Sequence, residues 1–213
     1  MPAPGGPPPR DAYLFVPPTY APGKPSPLLV LLHGAGKGAA DALATLGPQG
    51  LELLKSRACL LLVPESRGAT WDVITTSSFK QDLPFIASAL QQVLRSYSVD
   101  TRRLGLEGFS DGATYALSIG LGGPGLFSHV IVLSPGGFVP PAGRVKSAPG
   151  VFLAHGTRDT LFPIDQTSRR IASELGQLLP GRPVKYVQFS GGHEVDPSVQ
   201  QQALEWFLAP SAP

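Results

Sequence analysis

Four short runs of unbroken apolar residues recur along the chain: Leu28–Leu32, Ala58–Val63, Val130–Leu133 and Gly150–Ala154. A strand with one wet face alternates in polarity. A run with no polar position belongs instead to a strand covered on both faces, as in a parallel sheet between two helical layers. Helical spacing fills the intervals. Asp82–Tyr97 sets Leu83, Ile86, Leu90, Val93, Leu94 and Tyr97 along one side, with Pro84 tolerated in the first turn. Ala39–Lys55, Asp165–Leu178 and Pro197–Leu208 also read as helices, Val184–Phe189 as a further strand, and Asp11–Val16 as an edge strand. The expected fold class is α/β, a mostly parallel sheet with helices on both faces.

Composition narrows what such a sheet serves. The chain has 213 residues, 42% hydrophobic and 15% charged, which suits one folded domain over residues 11–213. Residues 1–10 are rich in Pro and Gly and are expected to form a flexible tail. A net charge of +2 without a basic block excludes nucleic acid as the main partner. No apolar run reaches the roughly 18 residues of a membrane span. The tail carries no signal-peptide core, so the cytoplasm is the default compartment, although a chain that had lost a leader would look the same. Cys59, the sole cysteine, lies inside an apolar run and is expected to be buried and inert.

Ligands of parallel sheets collect at the carboxyl ends of the strands. The polar clusters of this chain stand at those ends, and one of them is Gly108-Phe109-Ser110-Asp111-Gly112. It follows the short apolar segment Arg103–Leu106 and precedes a helix-compatible run, Ala113–Ile119. In that context Gly-x-Ser-x-Gly is a nucleophile elbow, a turn so sharp that the serine backbone is strained and its Oγ is raised above the sheet. Glycines flank the serine because a Cβ two residues away would collide. The helix behind it aims N–H groups and a positive dipole end at a developing oxyanion.

A serine needs a base. Of His33, His129, His155 and His193, the last lies in Ser190–Glu194, on a loop after one strand and before the final helix, from which it could reach Ser110. His33 and His155 each end a strand before a glycine, where bonding to local backbone is the expected role; His129 starts a strand and reads as structural. The base in turn needs a carboxylate to set its tautomer. Asp159 follows the Gly150–Ala154 strand and is the candidate. Asp165 competes but is expected to cap the next helix, and Glu194 and Asp196 are too near the histidine in sequence. Oxyanion donors are expected at the backbone N–H of Asp111 and, from the loop His33–Gly36, at Ala35. No metal or cofactor is called for. For the substrate pocket, Trp71 is the expected wall, completed by Phe138, Leu161 and Phe162, with Phe109 packed beneath the elbow. Arg67 has either Asp72 or a substrate carboxylate as its partner.

The pieces Leu31–Gly34, Ser66–Asp72, Gly108–Gly112 and His155–Asp159 together resemble a small α/β-hydrolase of the phospholipase/carboxylesterase and dienelactone-hydrolase-like group. The resemblance covers residues 11–208. It implies an α/β-hydrolase fold without a lid domain, Ser110, Asp159 and His193 as a triad, and an oxyanion N–H from the residue after His33-Gly34. Dienelactone hydrolases proper have cysteine where Ser110 stands, and acyl-protein thioesterases commonly have Gln where Asp111 stands. The chain is thus more similar to polyhydroxyalkanoate-depolymerase-like and feruloyl-esterase-like serine esterases. The expected activity is hydrolysis of a small carboxylic ester, short- to medium-chain or aryl, by a monomer or homodimer. Thioester cleavage by the same residues is the alternative, and a binding module that kept the fold without the chemistry is a second.

Overall fold

A computed structural model describes residues 11–209 apart from 144 and 146; the tail expected at residues 1–10 lies outside the described residues. Seven strands form one sheet in the order β1-β3-β2-β4-β5-β6-β7. They are β1 (Ala12–Phe15), β2 (Ser26–Leu32), β3 (Leu60–Pro64), β4 (Val99–Phe109), β5 (His129–Leu133), β6 (Gly150–Gly156) and β7 (Val184–Phe189). Only β1 runs antiparallel, against β3 at the edge. All other pairings are parallel.

The unbroken apolar runs are buried on both faces, as their composition requires. Within β2, Leu28, Val30 and Leu32 point into one core layer and Leu29 and Leu31 into the other. The first layer is closed by α2 (Asp72–Thr76), α3 (Asp82–Ser96), α4 (Asp111–Gly122) and α5 (Ser168–Leu178). The second is closed by α1 (Ala39–Ser56) and α6 (Pro197–Leu208). Each Leu withdrawn from water in this way stabilises the fold by about 1.5–3 kcal/mol. Cys59 is buried among them, and burial pushes its thiol pKa up. No described helix is long and apolar enough to cross a membrane.

Three elements depart from the sequence reading. The helix expected as one piece over Ala39–Lys55 is broken at Gly47, whose φ of 61° is outside helical space, next to Pro48; a proline offers no N–H to the preceding turn. Strand β4 is much longer than Arg103–Leu106. Its exposed first half hid the strand, and the register against β2 shifts between Ser26 and Leu28. Asp165 does not cap α5, which begins at Ser168 behind Thr167. Instead Asp165 pairs on the surface with Arg169, one helical turn away.

Candidate active site

Ser110 follows directly on β4 and opens α4 with φ 57° and ψ −121°, a conformation L-residues rarely adopt. The two glycines are needed for different reasons. A Cβ on Gly108 would lie 2.2 Å from the carbonyl oxygen of Gly112, across the turn; one on Gly112 would lie 2.5 Å from the carbonyl oxygen of His33, on the neighbouring strand's end. Ser110 N–H donates to Leu133 O of β5 (2.9 Å), which ties the elbow to the adjacent strand. Ser110 is 6% exposed, with its Oγ 2.9 Å from His193 Nε2.

His193 is carried by the loop between β7 and α6. Arg158 N–H donates to Gly191 O (2.8 Å) and binds this loop to the end of β6. The approach is so close that a Cβ on Gly156 would meet Gly192 O at 2.2 Å. The imidazole lies between Phe109, 4.9 Å away, and Phe162, edge-on at 5.1 Å. Its Nδ1 is 2.7 Å from Asp159 Oδ2. Ser110, His193 and Asp159 therefore form one hydrogen-bonded line assembled from the ends of β4, β7 and β6.

Asp159 is locked. Its Oδ1 accepts from the N–H groups of Leu161 and Phe162, both at 2.9 Å, a turn that aspartate side chains favour. Burial works against ionisation, but the Phe162 N–H and the facing imidazoles outweigh it and hold the carboxyl below its ordinary value. Glu194 and Asp196 are engaged elsewhere. Glu194 accepts from Gly192 N–H, and Asp196 caps α6 through Ser198 and Val199.

The loop after β2 runs alongside. Gly34 sits against the nucleophile, where a Cβ would be 3.4 Å from Ser110 Cβ. In the next residues Gly36 N–H donates to Ala69 O (2.6 Å) and Lys37 N–H to Gly34 O (3.3 Å). The Ala35 N–H has no such carbonyl partner among the described residues. At the first turn of α4, Asp111 N–H has no acceptor within the helix. The Asp111 carboxylate accepts from Thr70 Oγ1 at 2.6 Å.

The pocket residues expected from sequence divide. Trp71 forms no wall: it has no exposed surface, its Nε1 donates to His33 O (2.8 Å), and its indole stacks between His33 and Tyr115. Phe138 packs half-buried on the core. Leu161, by contrast, is 62% exposed beside Asp159, and Phe162 lies against His193. Arg67 approaches Asp82 through its backbone N–H (2.8 Å). His33 bonds local backbone as expected, donating from Nδ1 to Gly34 O and accepting at Nε2 from Ser66 N–H. His129 packs edge-on against Trp206 and Phe207, and burial lowers its pKa. His155 does more than expected: besides Phe162 O it reaches Asp159 itself. No described group of three or more His, Cys, Asp or Glu side chains could hold a metal ion.

The sheet order and the elbow at Ser110 define the α/β-hydrolase fold. No family model matches the chain. Its sequence is 27% identical over 165 residues to the bifunctional acetylxylan esterase/xylanase XynS20E of Neocallimastix patriciarum, across 74% of this chain and 22% of that enzyme. The chain thus spans less than a quarter of that relative. Among solved structures it is similar to a thermostable esterase (TM-score 0.71, 24% identity, 92% of this chain and 58% of that one). It is also similar to the acetyl xylan esterase of Aspergillus awamori (TM-score 0.72, 17% identity, 92% and 93%).

Proposed function

We propose that this chain is a serine hydrolase of carboxylic esters. The observation that carries the reading is the unbroken line from Ser110 Oγ through the His193 ring to Asp159 Oδ2, ending at a strained elbow. Neutral His193 takes the Ser110 proton at Nε2 as Oγ attacks the ester carbonyl, and Asp159 stabilises the imidazolium through Nδ1–H. The N–H groups of Asp111 and Ala35 hold the tetrahedral oxyanion, a contribution of roughly 3 kcal/mol for each donor. Collapse of that intermediate releases the alcohol, which receives the proton from Nε2. A water molecule, activated at the same nitrogen, then attacks the acyl-Ser110 ester, and breakdown returns acid and free serine.

The open setting beside Leu161 and Phe162 suits small or aryl acyl groups, and the similarity to enzymes described as acetylxylan esterases supports a short acyl chain. We take the substrate to be a small molecule and the enzyme to act in the cytoplasm as a monomer or homodimer. Thioesters would use the same machinery, differing only in leaving group, and parallel rates on matched ester and thioester separate the two. A fluorophosphonate probe should label the wild-type protein and fail to label Ser110→Ala, which should also lose hydrolysis of a nitrophenyl acetate. Turnover retained in Ser110→Ala would end this reading.

A further inference from the structure

Two imidazoles approach Asp159, and the reaction proposed above uses only one. His155 stands in β6, four residues before the acid, with no exposed surface. Its Nε2 is 3.0 Å from Asp159 Oδ2, the oxygen that also faces His193 Nδ1, and 2.9 Å from Phe162 O. Both partners are acceptors, so Nε2 carries the hydrogen. On the other edge Nδ1 is 2.6 Å from Ser168 Oγ, at the start of α5, and accepts that hydroxyl's hydrogen. The ring is thereby neutral with its tautomer set. Burial lowers its pKa and prevails over the pull of Asp159. A histidine that merely filled space would need neither bond.

We propose that His155 is a positioning residue for this site: a buried neutral donor that fixes the Asp159 carboxylate and moderates its hold on the His193 proton. The proposal rests on the serine-hydrolase reading. Oδ1 of Asp159 is occupied by two backbone N–H groups, and Oδ2 has two lone-pair directions. His155 takes one direction, which leaves the other for His193. A hydrogen bond to a carboxylate also disperses its charge. Without His155, Asp159 would bind imidazolium more strongly, and His193 would stay protonated to higher pH and be unable to act as base.

The neighbouring charges do not compete for this role. Arg158 turns to Ser190, Glu194 to Gly192 N–H, Asp111 to Thr70, and Asp196 to the start of α6. Asp165 and Arg169 on the α5 side pair with each other at the surface.

Two amides separate the edges of the ring. An asparagine resembles the Nδ1 edge and keeps the Ser168 contact, whereas a glutamine extends to the Nε2 position and Asp159. His155→Asn should lower kcat roughly 10²-fold, the scale of a misplaced catalytic group, with KM little changed. It should also move the midpoint of the acid limb of kcat/KM up by about one unit. His155→Gln should recover most of both. A His155→Asn enzyme with the wild-type midpoint, or a loss flat in pH that glutamine does not rescue, would overturn the proposal and leave His155 a packing residue. Nitrogen NMR of the wild-type protein gives a test that needs no variant. His155 should remain the neutral Nε2–H tautomer while His193 titrates, and a cationic or Nδ1–H His155 would equally overturn the proposal. Fluorophosphonate labelling keeps the two ideas apart. A labelled wild type with an unshifted His155→Asn profile removes only this inference, whereas an active Ser110→Ala removes the underlying reading.

Discussion

The indole of Trp71 donates to the carbonyl oxygen of His33 at 2.8 Å and stacks on the His33 ring with centroids 4.8 Å apart. His33 begins the loop that brings Gly34 against Ser110 and presents the Ala35 N–H. Trp71 thus supports this loop, the one proposed to hold the oxyanion, from inside the core. The same carbonyl excludes any Cβ at position 112, so the loop, the elbow and the indole are packed as one unit.

Trp71→Phe keeps an aromatic ring but leaves the His33 carbonyl without its donor, at a cost of about 1–3 kcal/mol. The expected result is a lower melting temperature and a reduced kcat, with KM for aryl esters nearly unchanged. A raised KM at constant kcat would instead mean that the indole contacts substrate.

Asp159→Asn should reduce kcat by about 10⁴-fold, because an amide favours the wrong imidazole tautomer. Asp165→Asn removes only an exposed surface ion pair, which solvent screens. It should leave both activity and melting temperature close to wild type. Steady-state kinetics on the two variants checks the assignment, and the reverse pattern would show that the wrong carboxylate was chosen.

Glu107 lies fully buried in β4, three residues before the nucleophile, and accepts from Gln200 Nε2 of α6 at 2.7 Å. Burial raises its pKa to about 7, partly opposed by that bond. Glu107 Oε2 and Gln200 Oε1 have no partners, a deficit that a proton on Glu107 can relieve. Because the folded-state pKa is raised, the folded protein holds this proton more tightly than the unfolded chain. The associated stability is present below about pH 4.5, is lost as pH rises to about 7, and stays lost above that. Glu107→Gln preserves an amide pair without a titrating group. Chemical denaturation should show the variant gaining stability over wild type from pH 5 to pH 8, by roughly 3 kcal/mol. A difference independent of pH would contradict a buried neutral acid.

The segment over residues 69–81 lies between β3 and α3 and contains α2. It is pinned: Asp82 accepts from the N–H groups of Arg67 and Asp72, and Asp72 accepts from those of Gln81 and Asp82. Esters of increasing chain length should therefore be hydrolysed more slowly beyond medium length, since the exposed surface at Leu161 offers little of the about 0.8 kcal/mol per buried methylene that would reward them. Rates should also show no jump where the substrate passes its solubility limit. Such a jump in a concentration series would reveal a cover that opens.

Sequence by itself determined the parallel sheet, because a strand buried on both faces favours apolar residues along its whole length and the runs at Leu28–Leu32 and Val130–Leu133 show it directly. It also determined the elbow, because a strained serine with glycines on both sides leaves a local pattern. Whatever depended on distant residues meeting was decided only by tertiary structure. The same aromatic character at Trp71 serves a pocket wall or a buried support, and only the position of the His33 carbonyl separates them. Asp165 has the chemistry of a helix cap, yet α5 begins three residues later, where Ser168 bonds His155 of β6 and Thr167 bonds the carbonyl of Pro163. His155 in sequence is a strand-end histidine like His33. Its place on the far side of Asp159 follows from the turn through Phe162 and the start of α5, contacts that no local periodicity records.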